Sequence, residues 1–222
     1  MNKKVPFYPN SKDNTHCYQA ALKMVLGYFT PKKRYTWKKL EKFTAKKKDK
    51  WTWPTQAMLN FKKLGFDIQK QSTFDYKRFI KKGGAYLIEK YGREMGEAQI
   101  ENSDIKQEIK LAKEYVSFFG NDMKLPTLRE LKRLLKDGYL LVINVNYYRL
   151  YDKKGFIGHF VVVFKISDKY VYLHDPGLPL KIDIKIPLKN FIKAWEYPGK
   201  DSRNCQAFKL KAKDHENSSR FG

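Results

Sequence analysis

The stretch GHFVVVFKISDKYVYLHDPG, running from Gly158 to Gly177, decides the architecture. Two apolar, β-branched runs, His159 to Ile166 and Lys169 to Leu173, flank the short polar pair Ser167-Asp168. Runs of this length and composition read as strands, and so tight a link predicts an antiparallel hairpin. In such a hairpin the start of the first strand lies beside the end of the second. His159 and Asp175 are thereby brought together. Taken singly, Asp-Pro-Gly reads as a turn and His159 as a hydrogen-bonded strand histidine. Taken as a pair, they are an imidazole oriented by a carboxylate, the base half of a nucleophilic site.

Around this hairpin the last third of the chain reads as sheet. Tyr139 to Val145, Ile182 to Ile186 and Gln206 to Leu210 are further strands, and Leu188 to Trp195 is a closing helix. The first part is helical. In Cys17 to Phe29 (CYQAALKMVLGYF), Ala21, Val25 and Tyr28 share one face with Leu22 and Leu26 adjoining, and Asn14 or Thr15 is the expected N-cap. A second helix runs from Thr36 to Thr44. A third starts at Pro54, runs to about Leu64 and stops at Gly65, before a short strand from Phe66 to Gln71. Phe74 to Ile80, Ala85 to Tyr91 and Ile105 to Phe119 carry helical periodicity, and Thr127 to Leu135 is a helix between Pro126 and Gly138. Helices first and sheet last is an α+β layout. The expected organisation is one domain over residues 1–210, with a helical part at 15–136, a sheet part at 139–210 and a flexible tail at 211–222.

The nucleophile that would complete the pair is Cys17, in the first turn of the opening helix. Most cysteines are small core residues, but a first turn is rarely the deepest part of a helix. Its unpaired N–H groups favour an anion, and with an imidazolium they pull a thiol well below its ordinary pKa of about 8.5. The same N–H groups suit the oxyanion of a tetrahedral intermediate.

VPFYPN (Val5–Asn10), DNTHCYQAALKMVLGYF (Asp13–Phe29) and the Gly158–Gly177 block together resemble the papain-like cysteine peptidases of the double-glycine leader peptidase type and their stand-alone relatives. The resemblance covers about residues 5–29 and 157–177. It implies a papain-like fold, a helical subdomain packed on an antiparallel sheet with the cleft between them. It further implies Cys17 as nucleophile, His159 as base and Asp175 as its orienter. Asn10 stands where the family has an oxyanion-hole glutamine. Tyr18 stands where the family has glycine after the nucleophile, which sets its ring against the substrate channel. The implied reaction is thiol attack on an amide or thioester carbonyl of a peptide or protein substrate, with no cofactor. Water resolves the acyl-enzyme in a peptidase or amidase, and an amine resolves it in an acyl or peptidyl transferase.

Composition sets the competing reading. The 222 residues carry a formal charge of +23, a field that attracts nucleic acid or an acidic partner. Lysine greatly outnumbers arginine and is spread along the chain, which favours a solvated surface over a phosphate-reading face. A catalytically silent basic binding module is nonetheless the alternative to an enzyme. Trp51 and Trp53 beside AKKKDK could stack on bases, although Pro54 starts a helix there and a core-capping role is the stronger reading. His16, His159, His174 and Asp175 show no zinc-ligand spacing, so no metal is expected, and His174 reads as a neighbour of the site or a surface residue. Cys205, in a polar stretch, reads as an incidental thiol. No apolar run approaches the roughly 20 residues of a membrane span. MNKKVPFYPN has no apolar segment behind its lysines, so no secretory signal is read. With two cysteines and no disulfide framework, a reducing, cytoplasmic setting is the expectation.

Overall fold

The structure, a computed structural model, describes residues 4–211. The loose tail expected at 211–222 lies outside the described residues from residue 212 onward. In chain order the elements are α1 (Cys17–Phe29), α2 (Trp37–Thr44), α3 (Thr55–Lys63), β1 (Phe66–Ser72), α4 (Tyr76–Lys82), α5 (Gly84–Tyr91), α6 (Arg93–Glu101), α7 (Ile105–Phe119) and α8 (Leu128–Lys136). There follow β2 (Leu140–Asn146), α9 (Tyr147–Leu150), β3 (Gly158–Ile166), β4 (Tyr170–Asp175), β5 (Lys181–Pro187), α10 (Leu188–Trp195) and β6 (Asn204–Leu210). Among the described residues, no helix is long and apolar enough to cross a membrane.

The six strands form one sheet in the order β1-β6-β2-β3-β4-β5, every neighbouring pair antiparallel. Leu140, Val142, Val162 and Phe208 point into a core shared with Leu22, Val25 and Leu26 of α1 and Phe61 of α3. The alternate residues Leu141, Ile143, Val161 and Val163 enter a second core, closed by Leu131 and Leu134 of α8 and Phe191 and Trp195 of α10. With both faces covered, β2 and the middle of β3 read as continuous apolar runs rather than alternating ones. The α+β architecture expected from the sequence is present, with helices on both faces of the sheet.

Local chemistry explains most boundaries. Thr36, Asp75 and Asp104 cap α2, α4 and α7 through their side chains, and Thr127 with Glu130 makes a capping box on α8. The opening helix differs from expectation. Neither Asn14 nor Thr15 caps it; Asn14 has a φ of 57°, and the N-cap is His16, whose side chain makes no capping bond. The helix α6 was not legible because its contact residue is a glycine. A Cβ on Gly96 would lie 2.5 Å from the backbone of Ile88, so α5 and α6 meet almost backbone to backbone. Cys205 is a core residue, fully buried on β6. Trp53 stacks on Phe79 at 5.1 Å and donates to Ser103 at 2.8 Å, the core-capping role, while Trp51 stays exposed.

One buried group works against the fold. Glu108 on α7 has a carboxyl oxygen with no hydrogen-bond partner, and burial pushes its pKa up to about 7. Below its ordinary value of 4.5 the group is neutral in folded and unfolded chains alike. Between that value and 7 only the unfolded chain ionises, so stability falls as pH rises. Glu108→Gln is expected to match the wild type in urea unfolding at the acid end and to exceed it by up to about 3 kcal/mol at slightly alkaline pH. An equal gain at both pH values would contradict this origin.

Candidate active site

The hairpin pairs antiparallel as expected, but its register is not regular. Ile166 meets Val171 and Lys165 meets Tyr172. Continued unbroken, that register would set Asp175 opposite Val162, on the face away from His159. A β-bulge between Val163 and Lys165 moves the ladder by one, so that Val163 meets Leu173 and Val162 meets His174. Asp175 then falls level with Val161, on the same side as His159. The two side chains close diagonally, Nε2 of His159 lying 2.6 Å from Oδ1 of Asp175.

The carboxylate is completely buried, and its acceptor sites are filled. Besides His159, the N–H of Gly177 donates to Oδ1 at 2.7 Å and the Tyr151 hydroxyl donates to Oδ2. A Cβ on Gly177 would lie 2.9 Å from Oδ1 and 3.3 Å from the imidazole, so only glycine allows this turn to close over the pair. Burial alone would raise the Asp175 pKa; the bonds and charge of His159, with Tyr151 and Gly177, bring it below its ordinary value.

Pairing of β3 with β4 begins only at Val162, which leaves the Gly158–Val161 stretch open on that side. The tip of α1 docks here. Cys17 is partly exposed and neighbours His159, with the backbone N–H groups of Tyr18 and Phe160 close enough to favour its thiolate. With Nε2 engaged by Asp175, the ring nitrogen left for the thiol is Nδ1. Burial would raise the thiol pKa, but the His159 hydrogen bond and charge and the two N–H groups bring it below 9.0. Burial would likewise lower the His159 pKa, yet its bonds to Asp175 and Cys17 carry it up to about 10. The lowered thiol and the raised imidazole both shift toward the thiolate and imidazolium forms, the state a sulfur nucleophile needs.

Asn10, expected at an oxyanion hole, sits between the two halves. Its N–H donates to the Pro176 carbonyl at 2.9 Å, and its Oδ1 accepts from His16 N–H at 2.7 Å. The side chain therefore steadies the start of α1, the task sequence reading gave to Asn14 or Thr15. One hydrogen of its Nδ2 goes to Asn14 at 2.7 Å, and the other meets no acceptor among the described residues. Tyr18 does not stand in a channel. Its ring is buried against Phe160 at 4.4 Å and its hydroxyl donates to Gln206 at 2.7 Å. His174 is neither a surface residue nor a neighbour of His159. It points to the other face, donating to the Val5 carbonyl and accepting from Asp183 N–H, each at 3.0 Å. His16 turns to Glu41 at 2.7 Å, so the four residues weighed for a metal do not gather.

A family description, Peptidase_C39 like family, matches residues 2–202. The chain belongs to this family. The resemblance carried by two short blocks thus extends over nearly the whole chain. No curated protein matches the sequence. Among solved structures, one described as a C39-like peptidase from Bacillus anthracis aligns at 23% identity with a TM-score of 0.32. That alignment covers 47% of this chain and 57% of the other.

Within this C39-like framework, the residues that sequence reading missed are Tyr147, Tyr151 and Lys181. Tyr147 packs edge-on to the His159 ring at 5.4 Å, and Lys181 Nζ sits 3.3 Å from the centroid of Tyr151. Both tyrosines belong to or adjoin the four-residue helix α9, too short for periodicity to reveal. Tyr151→Phe removes the donor to a buried carboxylate oxygen. It is expected to lower stability by about 2 kcal/mol in urea unfolding at neutral pH. Tyr148→Phe, at a more exposed ring, should leave stability unchanged, and equal effects would show that the Asp175 bond is not the cause.

Proposed function

We propose that this protein is a cysteine peptidase or amidase in which Cys17 attacks the carbonyl of a peptide substrate. His159 holds the thiol proton and returns it to the leaving amine, and Asp175 fixes the imidazole. The observation that carries the reading is that Cys17 and Asp175, from distant parts of the chain, converge on the one imidazole of His159. The backbone N–H at the tip of α1 and the free hydrogen of Asn10 Nδ2 are the donors for the oxyanion. Exposed Ile157 and Leu178, adjoining Gly158 and Gly177, offer apolar contact to the substrate beside the site. The acyl-enzyme is resolved by water; an amine acceptor would make the same machinery a transferase.

The thiolate–imidazolium pair exists between the lowered thiol pKa and the His159 value of about 10. Alkylation of Cys17 by iodoacetamide is therefore expected to reach its plateau well below the ordinary thiol value of about 8.5. Cys205, with its thiol pushed up by burial, serves as an unreactive internal control. Cys17→Ser and His159→Ala should abolish labelling by a peptide-like electrophile, with Asp175→Asn weakening it less because an amide still holds the ring. A Cys17 that alkylates like a free thiol would overturn the hydrolase and favour a basic binding module. Steeply salt-dependent retention of nucleic acid by Cys17→Ala would point the same way.

A further inference from the structure

Three strands from that site, on the outer strand β1, lies Lys70, which makes no ion pair among the described residues. A cavity of about 270 Å³ opens between β1 and helices α4 and α7, walled by Ile68, Phe74, Tyr76, Tyr115 and Phe119 around Lys70. The rings form a continuous stack, Tyr76 on Tyr115 at 4.5 Å and Tyr115 on Phe119 at 4.8 Å. Lys70 Nζ lies 3.9 Å from the centroid of Tyr76 and 4.8 Å from that of Tyr115, and donates to the Tyr76 hydroxyl. Among the described residues no carboxylate pairs with it. Tyr76 and Tyr115 are held protonated by burial, and Gln206, opposite on β6, is neutral. At the mouth, Asp122 is exposed to water and Lys124 is engaged by Glu130.

A half-buried ammonium held among aromatic rings with no carboxylate partner is unfavourable, and a ligand that supplies the anion relieves it. We propose that this cavity is a binding site for a small carboxylate with a flat apolar body, its charge on Lys70 and its body against the tyrosine stack. The volume lies at the small end of ligand pockets, about 300 Å³ and upward, which suits a single ring system rather than a peptide. Burial pushes the Lys70 pKa down to about 7. A bound carboxylate raises it, so binding takes up a proton and weakens as pH rises.

Benzoate is the probe, with benzyl alcohol as its uncharged counterpart, titrated calorimetrically into the full-length chain in buffers of different ionisation enthalpy. Benzoate is expected to bind at least tenfold more tightly than benzyl alcohol at about pH 6, with proton uptake near neutrality. Its affinity should fall roughly thirtyfold by about pH 8.5, as the ammonium is lost. Lys70→Met should remove the preference for benzoate without lowering the thermal midpoint. Cys17→Ala should bind as the wild type does, so loss of the thiol chemistry leaves this site standing. No benzoate binding at about pH 6, equal affinity for the alcohol, absence of proton uptake, or full binding by Lys70→Met would each overturn the assignment.

Discussion

The buried carboxylate of Asp175 is the constraint around which the rest is arranged. A charge with no exposed surface is tolerated only when its acceptor sites are filled, and removing one partner of such a group is strongly destabilising. Three donors meet it, and they come from three segments: His159 from the start of β3, Tyr151 from the end of α9, and the Gly177 N–H from its own turn. The same turn accepts a hydrogen bond from Asn10 through the Pro176 carbonyl. The N-terminal arm is thereby tied to the sheet, and with it the first turn of α1. Satisfying one carboxylate thus fixes where the sulfur of Cys17 sits.

From that anchor the electrostatics pass outward by contact. Asp175 raises the His159 pKa, and His159 in turn lowers that of the Cys17 thiol, so the two opposite shifts are two sides of one interaction. Tyr147 and Tyr151 shield the imidazole and the carboxylate from water, and the Lys181 ammonium lies over their rings. Lys181 is also the β5 partner of Asp175 in the ladder, which brings its stem to the right level. The neutral His174, one residue from Asp175, takes no part because strand geometry sends it to the opposite face, where it closes the N-terminal arm onto the sheet.

Several elements were legible because one residue class carried them. The helix α1 was readable to its ends, and the β2–β3–β4 block stood out as β-branched runs between polar links. Other features depended on contacts that no local pattern records. The α5–α6 pair is held by the absence of a side chain at Gly96, so α6 lacked a full apolar stripe. Cys205 was read as incidental because its neighbours in sequence are polar, but alternate residues of β6 face opposite sides of the sheet. Asn10 caps the α1 entrance from six residues upstream, beyond the reach of a local capping rule.

The sequence by itself determined the elements and the chemistry they carry: a thiol on a helix tip, an imidazole opening a strand, and a carboxylate ending the next. It also determined that those two strands form a hairpin, because the polar link between them is too short for any other connection. Only the tertiary structure decided that the carboxylate faces the imidazole. Side chains on a strand alternate with a period of two, so the extra residue accommodated between Val163 and Lys165 turns Asp175 from one face of the sheet to the other. No residue type in that stretch marks the bulge. Its position follows from packing both sheet faces against helices and from the need of one buried charge for three donors at once.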